Sequence, residues 1–271
     1  MITYNTDLSL KDKNILITGV SRPMGIGAAI VKRLASAGAN VVIHGFSKYD
    51  EELKYPDISS NYPEKLACEL ISDGYNAYAL PSFDLTEKFA PEKLVSEAAR
   101  INGYIDGLVL NHAYSLSLPI GKWTQEHIDL HLNANVRASM LIIQAFADQL
   151  PEGKKGSVTL FTSGQFLGSM INEIAYAVSK EAVICLCKQA AVALAPRGIR
   201  VNCINPGPTD TGYMKPESQE YKQVASMFPS GRWGLPDDAA RLVHFLQSDY
   251  SEWITGQVIS SEGGFRRDVI I

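Results

Sequence analysis

Short apolar, β-rich runs alternate with helical stretches along the whole chain, and this alternation constrains the fold more than any other feature. The runs are residues 14–18 (NILIT), 39–44 (ANVVIH), 75–80, 106–110 (DGLVL), 157–162 (SVTLFT), 200–204 and 257–260. Helical patterns fill residues 25–37, 64–73, 92–102, 125–149, 175–195 and 236–247. Thr124 suits a helix cap, Pro196 and Gly198 stop the fifth helix, and Pro236 with Asp237 and Asp238 opens the last. Parallel strands need long crossovers, and helices supply them. The expectation is an α/β, doubly wound domain over residues 1–271, a mainly parallel seven-stranded sheet with helices on both faces. Two segments fit no tight α/β layout, residues 45–63 and 208–235. Long loops in such domains often serve a ligand, and the second reads as a lid over substrate.

Composition narrows the function classes. With 271 residues, 46% hydrophobic and 20% charged, the chain can bury a sizeable core. A formal net charge of -4 gives no overall attraction to nucleic acid or an anionic membrane, and neither is an expected partner. No apolar run is long enough to cross a bilayer, and the first residues carry no apolar signal core, so a cytoplasmic location is the default expectation. Cys68, Cys185, Cys187 and Cys203 form no metal-like or redox pair and read as buried free thiols. The histidines, at 44, 112, 127, 131 and 244, form no ligand set, so no metal is expected. His127 and His131 share a helical face and read as a satisfied or solvated pair.

Two patterns carry chemistry. Thr18-Gly19-Val20-Ser21-Arg22-Pro23-Met24-Gly25-Ile26-Gly27 joins the first strand to the first helix. Glycines without a Cβ let backbone approach a pyrophosphate, and a helix N-terminus offers it unpaired N–H groups. The same glycines would also serve a plain tight turn. The second pattern is Tyr176-Ala177-Val178-Ser179-Lys180, with Ser163 thirteen residues before Tyr176. Four residues along a helix return to one face, so Tyr176 and Lys180 stand together, while Ser163 follows a strand at the carboxyl edge of the sheet. A nearby ammonium lowers a phenol's pKa from about 10, and a tyrosine so tuned can protonate a developing alkoxide. By itself, YAVSK would also fit a surface tyrosine beside a solvated lysine.

Taken together, these motifs resemble the short-chain dehydrogenase/reductase family in its single-domain form, from Leu10 to Phe265. The resemblance implies a Rossmann fold, a nicotinamide cofactor and a Ser163–Tyr176–Lys180 catalytic set, with Asn135 supporting a proton-relay water. It also implies cofactor contacts. These are Gly19, Ser21, Arg22, Gly25, Ile26 and Gly27 in the glycine turn, then Gly45, Phe46 and Lys48 after the second strand. Asp84 and Leu85 follow the third strand, and Asn111-His112-Ala113-Tyr114 stands where the family has Asn-Asn-Ala-Gly. Pro206, Gly207, Thr209 and Thr211 match the segment around the nicotinamide carboxamide, and Tyr176 and Lys180 serve both roles. The departures are five residues between Gly19 and Gly25, where the family usually has three, and His112 and Tyr114. The first implies an enlarged loop over the phosphates. Tyr114 would intrude near the active-site floor and could stack on substrate.

The end of the second strand, His44-Gly45-Phe46-Ser47-Lys48, has no acid until Asp50. An acid there would hold the ribose hydroxyls and repel a 2′-phosphate. Arg22 and Lys48 then favour NADP(H), with NAD(H) as the alternative. The implied activity is hydride transfer between nicotinamide and a small-molecule ketone or secondary alcohol, with 3-oxoacyl-[acyl-carrier-protein] reductase-like members nearest and a carrier-linked acyl group among possible substrates. An enoyl reductase of the same fold is one alternative, although that pattern puts six residues between tyrosine and lysine and three stand here. A silent nucleotide-binding scaffold is the other. Substrate shaping falls to Tyr114, residues 165–173 and residues 209–231, with Met214, Tyr221, Met227 and Phe228 as an apolar lid. The resemblance also implies a homodimer or homotetramer, with the tail FRRDVII expected to pack on a neighbouring subunit.

Overall fold

The computed structural model describes residues 8–266. Seven strands form one sheet: β1 Asn14–Thr18, β2 Asn40–Ile43, β3 Ala77–Ala79, β4 Gly107–Leu110, β5 Gly156–Phe161, β6 Ile199–Asn205 and β7 Val258–Ser260. Their order is β3-β2-β1-β4-β5-β6-β7. Every pairing is parallel, with Ile15 opposite both Val41 and Gly107. The strand order reverses between β1 and β4, and the crevice at their carboxyl ends is where open sheets of this kind bind ligands.

Alternating strand residues feed two cores. Ile15, Ile17, Val41 and Ile43 face α1 (Ile26–Ser36), α3 (Tyr62–Ser72) and α9 (Pro236–Gln247). Leu16, Val42, Leu108 and Val158 face α4 (Ala90–Asn102), α6 (Ala138–Gln149) and α7 (Ile174–Leu194). Strands covered on both faces read as continuous apolar runs, which is what NILIT and GLVL are. Phe146 of α6 is fully buried, and its truncation to alanine would cost about 3–5 kcal/mol. Among the described residues no helix is long and apolar enough to cross a membrane.

Three segments depart from the sequence-based expectation. Residues 45–63 are not a plain loop, because α2 (Ser47–Leu53) forms inside them. The helix read over 125–149 breaks into α5 (Gln125–Leu132), a π turn at Asn133–Arg137 and α6. Side chains feed the carbonyls of that turn: Ser139 Oγ donates to Asn135 O at 2.8 Å, and His112 Nε2 lies 3.2 Å from Ala134 O. The lid region holds α8 (Gln219–Ser226), capped by Ser218, whose Oγ accepts from Tyr221 N at 3.1 Å. All four cysteines are free, but only Cys187 and Cys203 are buried, whereas Cys68 and Cys185 are exposed. The expected docking of the tail falls largely on residues 267–271, outside the described residues.

Candidate active site

The glycine turn opens α1 with Gly25 in extended backbone and no side-chain cap, so the first N–H groups of the helix are left for a ligand. Its glycines do different work. A Cβ on Gly27 would lie 2.4 Å from Gly19 O, and one on Gly19, at φ +72°, would lie 2.7 Å from His112 N. These two are demanded by packing of the turn against the β4 loop. A Cβ on Gly25 meets only Arg22, and Gly25 lines a cavity of about 490 Å³. A backbone cradle without side chains, at a helix N-terminus and beside the switch point, fits the phosphates of a dinucleotide. Gly45 is also a packing glycine, since a Cβ there would meet Val20 O at 2.2 Å.

Most of the expected cofactor contacts share that cavity. Gly19, Ser21, Arg22 and Ile26 line it from the turn, and Phe46 and Lys48 from the segment after β2. Asp84, Leu85, Asn111, His112 and Ala113 line it from the loops after β3 and β4, and Thr211 from the lid. Gly27, Gly45, Pro206, Gly207 and Thr209 lie outside its wall. Gly207 packs on Glu262 instead, 2.3 Å from its Cβ at the position a side chain would take. Ser163, Tyr176 and Lys180 also lie beyond this wall.

Arg22 is not the free cation expected from the sequence. Folding of 45–63 brings two acids back to it. Its guanidinium donates to Asp57 Oδ1 at 2.9 Å, to Thr211 O at 2.7 Å and to Thr211 Oγ1 at 3.0 Å. Asp50 stands 3.8 Å away, and the Tyr55 ring lies 3.8 Å beneath the guanidinium carbon. Asp57 also accepts from Met24 N at 2.8 Å. Arg22 therefore ties the glycine turn, the segment after α2 and the lid together, and carboxylates oppose a phosphate there. Burial raises the Asp50 carboxyl's pKa, against a hydrogen bond from Ser21 and the pull of Arg22.

The loop after β4 is pinned residue by residue. Asn111 Nδ2 donates to Gly19 O at 2.9 Å. His112 Nδ1 lies 2.7 Å from Thr18 Oγ1. Because Ala134 O can only accept, Nε2 carries the proton and Nδ1 accepts from Thr18. Burial drives the pKa of His112 down to about 3, helped by the positive Lys180, so it is the neutral imidazole. Tyr114 N donates to Asn135 Oδ1 at 2.7 Å, and Asn135 Nδ2 donates to Tyr114 O at 2.9 Å. Ser115 N donates to Tyr49 OH at 3.0 Å, which donates back to Ser115 O at 2.7 Å. Leu116 N donates to His131 Nε2 at 3.1 Å. The Tyr114 ring lines the cavity and packs between Tyr49 and His131, with ring centres 5.2 and 4.8 Å away. His131 Nδ1 donates to His127 O at 2.7 Å, so both its nitrogens are engaged.

The trio expected to be catalytic stands where β5 gives way to α7. Ser163 follows β5, and its side chain acts on the Tyr176 phenol as a partner that favours the ionised form. Lys180, one turn along α7, is buried and donates from Nζ to Phe161 O at 2.9 Å, with Nζ 5.5 Å from the Tyr176 ring centre. Burial lowers the Lys180 pKa to about 8. The phenol does not move as the sequence suggested. Burial pushes Tyr176 up to about 12, outweighing Ser163, and the Glu173 carboxylate adds to the rise. The lysine ammonium is spent on a backbone carbonyl and on its own desolvation. Asn135 likewise spends both amide hydrogens, on Tyr114 O and on Ser179 Oγ at 2.8 Å, so its side chain anchors the loop. Ser179 Oγ donates to Tyr176 O at 2.7 Å, which links that anchor to the tyrosine's own turn.

Sequence reasoning missed Tyr49 and Asp57, read His131 only as a pair with His127, and placed Glu173 only within the substrate-shaping segment 165–173. No short-range pattern marks the first two: Asp57 reaches Arg22 across 35 residues and Tyr49 reaches Ser115 across 66.

Comparison with known proteins gives a consistent kinship. A family model described as enoyl-(acyl carrier protein) reductase matches residues 19–266. The chain is similar to the uncharacterized oxidoreductase YjdA of Bacillus subtilis, 36% identical over 95% of this chain and 98% of that one. It is also similar to the 3-oxoacyl-[acyl-carrier-protein] reductase FabG of Aggregatibacter actinomycetemcomitans, 32% identical over 93% of this chain and 98% of the relative. A short chain dehydrogenase of Burkholderia cenocepacia, solved in complex with NADP, superposes with a TM-score of 0.82 at 32% identity, over 94% of this chain and 98% of that one. With the all-parallel sheet, the glycine turn at the switch point and the Ser-Tyr-Lys convergence, these likenesses make the chain a member of the short-chain dehydrogenase/reductase family of NAD(P)-dependent oxidoreductases.

Proposed function

We propose that this protein is a carbonyl reductase, and in reverse an alcohol dehydrogenase, that uses Ser163, Tyr176, Lys180 and Asn135 on a ketone or secondary alcohol. The observation that carries the reading is buried Lys180, one helical turn from Tyr176, with Nζ 5.5 Å from the tyrosine's ring centre and bonded to Phe161 O at the end of β5, the strand that Ser163 follows. A nicotinamide cofactor, when bound, supplies the hydride. Ser163 and the Tyr176 phenol hold the carbonyl oxygen. A phenol held near pKa 12 is protonated at neutral pH and is ready to give its proton to a developing alkoxide. Lys180 supplies positive charge behind it, and Asn135 fixes the loop against which the substrate rests.

For the cofactor, NADP(H) is our preferred reading. It rests on exposed Lys48 at the cavity wall, on glycine rather than an acid at position 45, and on the NADP complex of the Burkholderia relative. A second reading, NAD(H), is favoured by Asp50 and Asp57 around Arg22. Enoyl reduction is a second reading of the reaction, favoured by the description of the matching family model. The assembly we propose is a homodimer or homotetramer joined through exposed Ile128, Leu132, Met140, Val178 and Val192 of α5 to α7.

The test is product analysis with a small cyclic ketone, a 3-oxoacyl thioester and a 2-enoyl thioester, each with NADPH and with NADH. Secondary alcohol from the ketone, at least tenfold faster than saturated thioester from the enoyl compound, supports carbonyl reduction. Saturation of the enoyl compound alone would replace it with the second reading. Light scattering that returns a monomer at every concentration would overturn the assembly.

A further inference from the structure

The mouth in front of Tyr176 is built from three loops. The β4 loop is pinned through Ser115 and Leu116 as described, and its next residue, Ser117, donates from Oγ to Glu173 Oε1 at 3.3 Å. That bond closes the β4 loop onto the N-cap of α7, three residues before Tyr176. Tyr213 of the lid is within electrostatic reach of the Glu173 carboxylate, as Tyr176 is.

What these loops present is apolar. Ile120 and Ile171 are 72% and 71% exposed, and Leu116, Phe166, Leu167 and Tyr213 are exposed as well. Large apolar side chains exposed on loops that border one site suit an apolar ligand. The charges nearby are few. Asp210 of the lid is engaged by Tyr221 OH at 2.8 Å. Lys122 and Lys215 form no ion pair among the described residues and are exposed. Glu173 is the charge bonded between the β4 loop and α7.

We propose that this mouth selects uncharged, apolar ketones and rejects substrates that carry an anionic group near the carbonyl, with Glu173 as the specificity-determining charge. The inference rests on the carbonyl-reductase reading above and deepens it. The apolar rim takes the body of the substrate out of water. An anionic group close to the carbonyl, such as a carboxylate, has no paired cation among the described residues of the junction and meets the Glu173 carboxylate held there by Ser117. Repulsion between like charges at several ångströms, in a half-screened site, is worth about fivefold in relative kcat/KM.

The experiment compares matched pairs that share one reacting group. The pairs are 1-tetralone against its ring carboxylate, and methyl levulinate against levulinate. The neutral member is expected to win by at least fivefold in kcat/KM in both pairs. Glu173→Gln should cut that ratio at least twofold, whereas Glu173→Asp should keep more of it than Gln does. Phe166→Ala should raise KM for 1-tetralone more than it lowers kcat. A ratio under fivefold, or one that Glu173→Gln leaves in place, would overturn the proposal. A preference for the anionic members that fades with added salt would assign the mouth to Lys122 and Lys215 instead. If none of the four compounds turns over, and small cyclic ketones fail too, the carbonyl-reductase reading itself has failed and this proposal falls with it.

Discussion

Replacing Asn135 with alanine removes three hydrogen bonds from one buried site. Asn135 Oδ1 accepts from Tyr114 N at 2.7 Å, and Nδ2 donates to Tyr114 O at 2.9 Å and Ser179 Oγ at 2.8 Å. The substitution strands the N–H and the C=O of Tyr114, while Ser179 keeps its bond to Tyr176 O. Each stranded group costs about 1–3 kcal/mol, so the sum centres near 4 kcal/mol. A chain of this size loses about 2–4 °C of Tm per kcal/mol, which gives a fall of roughly 8–16 °C. Asn135→Asp keeps an acceptor for Tyr114 N but turns a carboxylate toward Tyr114 O, so it should be no better than alanine. Urea unfolding and thermal melts of the three proteins measure this. A loss under about 1 kcal/mol for alanine, or an aspartate variant as stable as the native chain, would show that Asn135 does not hold the β4 loop.

Other consequences follow from the charges. Lys48→Ala should weaken NADPH about tenfold and NADH far less, if one charge-assisted phosphate contact is lost. Arg22→Ala should weaken both cofactors to a similar degree and lower Tm, because Arg22 is held by Asp57 and Thr211; titration of cofactor fluorescence separates the cases. His44 and His112 are held near pKa 4 and 3 by burial. The unfolded chain takes up these protons near pH 6.5, while the folded one does so only near pH 3–4. Stability is therefore flat for these groups above pH 6.5 and falls below it, by a few kcal/mol in all by pH 4. Unfolding midpoints across pH 4–8 should show that slope, and His112→Asn should reduce it.

Much of the fold was legible because its signals are local. Continuous apolar runs of four to six residues, separated by helix-length segments, admit little besides a covered parallel sheet, and β1, β4 and β5 lie within a residue or so of their expected places. The glycine turn and the Tyr176–Lys180 spacing were legible for the same reason: one turn and one helix carry them. What escaped is long-range. Nothing near Ser47 signals that α2 will return Asp50 and Asp57 to Arg22, and that return changed the meaning of the arginine. The π turn at Asn133–Arg137 depends on donors from His112 and Ser139, and helical periodicity is blind to it. The direction of the Tyr176 pKa depends on how completely the phenol and Lys180 are buried, which no spacing reveals.

The central claim is that Tyr176 supplies the proton to a reduced carbonyl. Tyr176→Phe keeps the ring in its packing and removes only the phenolic oxygen. Steady-state oxidation of NADPH with a cyclic ketone, on purified native and variant proteins of equal Tm, tests the claim most directly. Turnover should fall by about 10²-fold or more while NADPH binding holds. Turnover within a few-fold of the native protein would contradict the account.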